Sequence, residues 1–375
     1  MKPRVKVLGF DVPAWGFFFS LSLLMGVATT VALTGVARLP KAPMIVASIC
    51  GVVAMVVLAF VTKIVTGYEV YNFHHYLIAA IFATALALWL MGQPLPANLD
   101  VVVLGIGVGY ACGRVACLRG GCCYGRPCRV GFSYSREYAG YGFPVGLVGV
   151  KLFPSQFVES LWMMLTVAFG IACLARGAQP GSTFAWFIVL YSVGRFFSEF
   201  YRLGAGFCVA GLSEPQIASL LMTSIVFGVE QMSLLPAQPV HAIAALLLVV
   251  VAVARVLSKS ESKLLFTGDH VVEIANAVRR ADRNSRSFCP TSGLESRNLP
   301  VQRTSLGLLI SAGTISTERG ALTHYSVSRE EAMRDSTAQA LAKLISLICG
   351  SRGEEKLIKG VGAFHIVIDR SGDVR

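Results

Sequence analysis

The chain has 375 residues, 54% of them hydrophobic and only 14% charged, with a net charge of +12. Ordinary soluble domains carry about 25% charged residues, and here 18 of the Lys and Arg and 13 of the Asp and Glu lie from Arg255 onward, leaving 15 and 8 for everything before. So few charges cannot cover a water-facing surface over the first two-thirds, which excludes a wholly soluble protein. No basic module interleaved with aromatics points to nucleic acid either.

The chain opens on "MKPRVKVLGFDVPAWGFFFSLSLLMGV", a basic start followed by an apolar run with no small-residue cleavage site. That predicts a retained first span and not a removed signal peptide. A span needs about 20 mostly apolar residues, and the segments near 14–36, 43–66, 76–93, 99–118, 156–175, 182–201, 215–234 and 238–257 meet that need. "RLPKAP", "GQPLPANLD" and "RGAQPGS" punctuate them. Glu230 and Gln231 interrupt the seventh, so the expected count is seven or eight. After residue 258 the character changes: an amphipathic helix at "HVVEIANAVRRADR", a polar loop "NSRSFCPTSGLESRNLPVQ", a strand at "LGLLISAGTIS", a helix at "SREEAMRDSTAQALAKLISLIC" and a strand at "GAFHIVIDR". The predicted architecture is an all-α polytopic membrane domain of 7–8 transmembrane helices over 1–258, with a small soluble α/β appendage over 259–375. Lys2, Arg4 and Lys6 favour a cytoplasmic N-terminus. The arginine-rich loop after the fourth span inflates the same count, so orientation stays open.

Ionisable groups inside or at the mouth of apolar spans are costly and tend to be kept for function. Four stretches carry them. In "GRVACLRGGCCYGRPCRVGFSYS" (113–135), Arg114 sits at a helix end near headgroup depth, where its fork of donors suits phosphate. Gly120, Gly121 and Gly125 permit tight turns and close backbone approach, and Arg126 adds charge. In "YNFHHYLIAA", His74 and His75 open the third span; an imidazole is a base at neutral pH. In "FIVLYSVGRFFSEFYRLG", Tyr191, Arg195, Glu199 and Arg202 share one helical face or nearly so. In "FPSQFVESLWM", Gln156 and Glu159 begin the fifth span. The bland alternatives are snorkelling arginines, a helix cap and a structural ion pair. Several spans bringing Arg, His, Tyr, Glu and Gln to one depth point instead to a lipid-phosphate pocket.

These motifs resemble those of the prolipoprotein diacylglyceryl transferase family, patchily over 14–230. "GRVACLRGGCCYGRP" follows the family's Gly-Arg signature, placing Arg114 on its essential arginine and Gly125 on a signature glycine. "PSQFVE" is similar to its Pro-Thr-Gln-Leu-Tyr-Glu helix start, matching Pro154, Gln156 and Glu159. "YSVGRFFSEFYR" matches its Tyr-x-x-x-Arg-Phe-x-x-Glu helix through Tyr191, Arg195 and Glu199. "FHHYL" stands where the family has Phe-His-Gly-Gly-Leu, so His74 falls on the proposed base, and "GLSEPQIAS" resembles a last helix start through Gln216 and Ser219. The chain departs at Cys117 for the family's asparagine, at Cys122 for an acidic residue, at His75 and Tyr76 for two glycines and at Trp15 for a tyrosine.

The resemblance implies a multi-pass enzyme of the bacterial inner (plasma) membrane, active in lipoprotein maturation. Its partners are phosphatidylglycerol, the lipobox cysteine of preprolipoproteins and membrane lipids, and glycerol phosphate is released. It assigns His74, Arg114 and Arg195 to catalysis. Tyr191, Gln156, Glu159 and Glu199, with the loop's Gly120, Gly121, Gly125 and Arg126, go to substrate binding. It requires no metal or diffusible cofactor. Two other readings stay open: a non-catalytic lipid-binding paralogue, and a cysteine-based metal or redox site at 112–128. The gaps of four residues with one adjacent pair do not match the paired spacing of structural zinc motifs.

Overall fold

A computed structural model describes residues 3–67, 73–204, 208–258, 265–287, 300–317, 320–331, 333–351 and 355–369. Most of the predicted polar loop over 284–302 lies outside them. A short hairpin, β1 (Arg4–Val7) and β2 (Phe10–Pro13), leads into eight helices: α1 (Ala14–Ala37), α2 (Lys41–Thr66), α3 (Phe73–Leu90), α4 (Leu95–Gly120), α5 (Ser155–Ala175), α6 (Ser182–Ser198), α7 (Glu214–Gln231) and α8 (Pro239–Leu257). All eight fall where apolar runs predict them. Five of them, α1, α2, α4, α5 and α8, are long and apolar enough to cross a membrane, and α3 contributes a shorter apolar stretch. With those five helices the chain is a mostly helical, multi-pass membrane protein.

Proline and glycine set the ends. Pro94 and Gln238 precede helices with proline at the first turn, while Gly67 and Gly121 close α2 and α4 in the left-handed conformation. Small residues then let the backbones approach, as expected where apolar faces gain nothing by leaving lipid. Gly26 of α1 lies against Gly105 and Gly109 of α4, and a Cβ on Gly105 would come within 2.6 Å of the Gly26 carbonyl oxygen. Trp15 at the start of α1 packs on Gly120 at the end of α4, so the two helices run antiparallel. Gly107 opposite Met163, Val167 and Phe187 seats α4 against α5 and α6, making α4 the central helix.

Consecutive helices alternate in direction. The starts of α3, α5 and α7 and the ends of α4, α6 and α8 therefore share one end of the bundle. The long 121–154 connection emerges there, with β3 (Pro127–Phe132) and two short 3-10 helices, as does a small hairpin between α6 and α7, β4 (Cys208–Val209) and β5 (Leu212–Ser213). The opposite end is pinned by two buried acids. Asp100 accepts hydrogen bonds of 2.7 Å from the Gly181 and Phe184 amides at the start of α6, and Glu230 of α7 pairs with His241 of α8 at 2.6 Å.

The C-terminal part contains α9 (Gly268–Ser287), β6 (Gln302–Arg303), β7 (Leu309–Thr317), β8 (Gly320–Ser328), α10 (Asp335–Cys349), β9 (Lys356–Lys359) and β10 (Phe364–Asp369). The strands form one antiparallel sheet in the order β6-β7-β8-β10-β9. Its inward residues Ile310, Ala312, Tyr325, Val327, Ile366 and Ile368 join Ile274 and Val278 of α9 and Leu341 and Ile345 of α10 in one core. The expected helix from 328 begins only at 335, because Ser328 still pairs with Leu309 in the sheet. That core also takes in Tyr134, Tyr138, Phe143, Leu147 and Leu152 from the 121–154 connection, and Arg279 donates to the carbonyls of Gly146 and Val148. The appendage is thus seated on the bundle's most elaborate loop.

Candidate active site

Glu159 is the centre of the site. It sits on the second turn of α5, almost wholly buried, and its carboxylate accepts from two helices and a loop. Arg114, six residues from the end of α4, pairs with its Oε2 and with the Tyr110 hydroxyl, and stacks over the Tyr110 ring at 4.5 Å. Tyr110 donates to the same Oε2 at 2.8 Å. Arg195 at the last turn of α6 stands 3.5 Å from Oε1 and 2.8 Å from Glu199. Arg202, just past α6, stands 3.8 Å from Oε1. Three guanidiniums therefore share two carboxylates, with the side chains of Arg114 and Arg195 only 7% and 6% exposed.

Such a cluster is unaffordable in hydrocarbon unless the charges are paired and hydrogen-bonded. Here pairing is incomplete. The Nε–H groups of Arg114, Arg195 and Arg202, and that of nearby Arg126, are buried with no hydrogen-bond partner among the described residues. Burial and the neighbouring Arg255 charge hold the Arg126 guanidinium below its usual range. Unused donors around an excess of positive charge make an anion site, and forked donors match phosphate oxygens.

His74, at the start of α3, is 2% exposed. Its Nε2 lies 3.3 Å from the Tyr191 hydroxyl, while Nδ1 is buried without a partner among the described residues. Tyr191 in turn meets Tyr110 edge to face at 5.9 Å, so the imidazole and the arginine cluster are joined through two tyrosines. His75 points elsewhere, to Glu214 at 3.1 Å.

Other predicted residues hold the scaffold. Gln156 donates to the Cys122 carbonyl at 2.7 Å and to the Tyr134 hydroxyl, and Ser155 donates to the Cys123 carbonyl at 2.7 Å; together they tie the start of α5 to the loop after α4. The space before the three loop glycines is filled by the chain itself. Cβ atoms there would meet Trp15 at Gly120, Tyr138 at Gly121 and Phe153 and Tyr201 at Gly125. Gly125 is bridged to Arg202, and the Arg126 amide donates to the Tyr201 carbonyl, which is how this loop fixes Arg202 beside Glu159. Gln216 closes a capping box with Ser213, and Ser219 bonds back to Pro215; both serve α7.

A cavity of about 220 Å³ opens between α5 and α6 onto the cluster, lined by Tyr110, Glu159, Trp162, Tyr191, Arg195 and Tyr201 among others. Val158, Trp162 and Tyr201 at its mouth are exposed on the outside of the bundle. An apolar cleft with a cationic floor admits a molecule with both characters. Tyr110 is a site residue that no sequence pattern marked: a tyrosine in an apolar run is commonplace, and only its place one turn before Arg114 was a clue.

A family model described as prolipoprotein diacylglyceryl transferase matches residues 4–231. Among curated proteins, the chain is similar to a phosphatidylglycerol–prolipoprotein diacylglyceryl transferase of Dehalococcoides mccartyi, 30% identical over 157 residues, which are 40% of this chain and 57% of the relative. A second such transferase of Clostridium perfringens is 31% identical over 126 residues, 33% and 46% of the two chains. One from Streptomyces coelicolor is 31% identical over 138 residues, 34% and 41%. The chain spans about half the length of the curated relatives it matches.

Proposed function

Since the chain belongs to the prolipoprotein diacylglyceryl transferase family, we propose that it transfers diacylglycerol from phosphatidylglycerol to the lipobox cysteine thiol of a preprolipoprotein and releases glycerol phosphate. The observation that carries this reading is the charge imbalance at Glu159: Arg114, Arg195 and Arg202 against Glu159 and Glu199, with buried Nε–H donors to spare. A phosphodiester monoanion supplies the missing charge and acceptors.

In this reading Arg114 and Arg195 hold the phosphate, and Glu159 and Glu199 keep the guanidiniums in place while it is absent. The α5–α6 cleft takes the acyl chains from the bilayer. His74, oriented at Nε2 by Tyr191, accepts the proton of the incoming thiol at Nδ1, because the thiolate is the nucleophile. The sulfur then forms a bond to the terminal glycerol carbon as its carbon–oxygen bond breaks. The electron pair leaves on the phosphate oxygen, where the arginines stabilise the growing charge. Arg126 and the loop glycines shape the pocket from the 121–154 side.

We also infer that all eight helices cross the inner membrane of a bacterium. α6, with 17 residues, is about 25 Å long at 1.5 Å per residue, close to the hydrocarbon thickness, and the Glu230–His241 pair lowers the cost of a charge in α7. Both ends of the bundle domain (1–258) then share one side, with the 259–375 domain docked there. The test is complementation in bacterial cells depleted of their own transferase. Rescue by the chain, lost in Arg114→Ala and Arg195→Ala variants that still reach the membrane, supports the assignment. Failure of the intact chain to rescue, with the protein folded in the membrane, favours the lipid-binding paralogue.

A further inference from the structure

The loop that follows Arg114 brings together more than arginines. Among the described residues, one group of three potential metal ligands exists: the Sγ atoms of Cys117, Cys122 and Cys123 all lie within 4.8 Å of one another. Spacing of five and one conceals this convergence. α4 ends at Gly120, Gly121 turns the chain at φ +70°, and Cys123 itself takes φ +55°, so the chain doubles back and returns two sulfurs beneath the one on the helix. A left-handed conformation is unfavourable for a residue with a Cβ and is held only where its surroundings enforce it. Here Gln156 and Ser155 clamp the carbonyls of Cys122 and Cys123, and Gly125 is bridged to Arg202 two residues later. The thiols are preorganised by these three contacts.

We propose that Cys117, Cys122 and Cys123 form a three-thiolate zinc site. Zinc–sulfur bonds of about 2.3 Å put sulfurs roughly 3.8 Å apart in tetrahedral geometry, so the trio closes on the ion by side-chain adjustment alone. Three thiolates and one zinc ion carry a single negative charge. That charge faces Arg114, three residues before Cys117 on the same helical face, and Arg202, held to the loop at Gly125, while nearby Arg126, its Nε–H also unused, keeps the pocket net positive for the phosphate. Two of the three ligands stand where the chain departs from its family's asparagine and acidic residue; the departures thus form one new unit. No fourth protein ligand joins the group among the described residues, so the last coordination position takes water or an incoming ligand, the arrangement of catalytic and not structural zinc.

Resting on the proposed transfer reaction, that position takes the substrate's cysteine. Coordination displaces the thiol proton to water or a base. The zinc-bound sulfur then forms the carbon–sulfur bond as the glycerol carbon–oxygen bond breaks and its electron pair departs with the phosphate. Zinc would thus assist His74 in activating the thiol, from positions where the chain departs from its family's asparagine and acidic residue.

The experiment uses the full chain purified in detergent, with elemental analysis and zinc X-ray absorption. One zinc per chain is expected, with three sulfurs and one light atom in its shell, shifting to four sulfurs on addition of a cysteine-containing lipobox peptide. Single Cys117→Ser, Cys122→Ser and Cys123→Ser variants should lose the metal, while Cys112→Ser and Cys128→Ser retain it. Metal-free protein that does not take up zinc under reducing conditions, or a Cys122–Cys123 disulfide in its place, overturns the site, and the wild-type spectrum decides this even if a variant fails to fold. An unchanged three-sulfur shell with peptide overturns the activation step alone. Because no transfer assay enters these readouts, failure of the reaction itself is seen separately: zinc-loaded protein that binds peptide but never transfers lipid.

Discussion

The two ends of the helical bundle both bury charge, and they do it differently. At the far end each acid has its own partners: Glu230 the Nδ1 of His241, and Asp100 two backbone amides at the start of α6. At the loop end three arginines crowd two glutamates and leave their Nε–H donors unused. Matched charge in an apolar setting holds helices together. Unmatched charge waits for a ligand, and the surrounding fold must pay for it. The contrast separates pins from site within one membrane domain, where burial alone does not.

Substitutions at the two ends test that division. The largest expected effect is Glu159→Gln, which strips the central carboxylate from three buried guanidiniums; breaking a buried pair costs about 3–5 kcal/mol, read as a large fall in melting temperature in detergent. Arg114→Ala should lower transfer by roughly 10²–10³-fold, the usual cost of one preorganised donor to a developing oxyanion, while phosphatidylglycerol at higher concentration fails to restore the rate. At the far end, Glu230→Gln exchanges a charged hydrogen bond for a neutral one and should cost on the order of 1.5–3 kcal/mol with kcat and KM unchanged. Gly194→Ala drives a methyl into the Trp162 indole across the α5–α6 cleft; overpacking of about 1–3 kcal/mol should come with a raised KM for phosphatidylglycerol, since Trp162 lines the cavity mouth. Least of all, Lys359→Ala removes an exposed pair with Asp335 and should change stability by about 1 kcal/mol or less. A far-end variant that abolished transfer while remaining folded would break the comparison.

Much of the loop-end site was legible in the sequence because charge is so scarce there. Arg114, Glu159, Arg195 and Glu199 interrupt apolar runs, and each interruption asks for a reason. Tyr110 was not legible, since phenols are ordinary in spans, and neither was the job of Gln156, which holds the loop and not the arginines. The meeting of Cys117 with Cys122 and Cys123 depends on two left-handed residues, of which only Gly121 declares itself by type. In the tail, β7 and α10 follow from apolar periodicity. β8 escaped notice because Thr323 fills an inward position where an apolar residue would have marked the alternation. That Tyr134, Tyr138 and Phe143 complete the tail's core is a contact across more than a hundred residues, which no local pattern encodes.

The most direct measurement is transfer itself. Full-length protein in vesicles containing phosphatidylglycerol is incubated with a lipobox peptide, and the peptide is followed by mass spectrometry. A diacylglyceryl adduct on the peptide's cysteine, formed by the intact chain and by Glu230→Gln but not by Arg195→Ala, is the predicted result. No adduct from the intact chain, or an undiminished one from Arg195→Ala, contradicts the account.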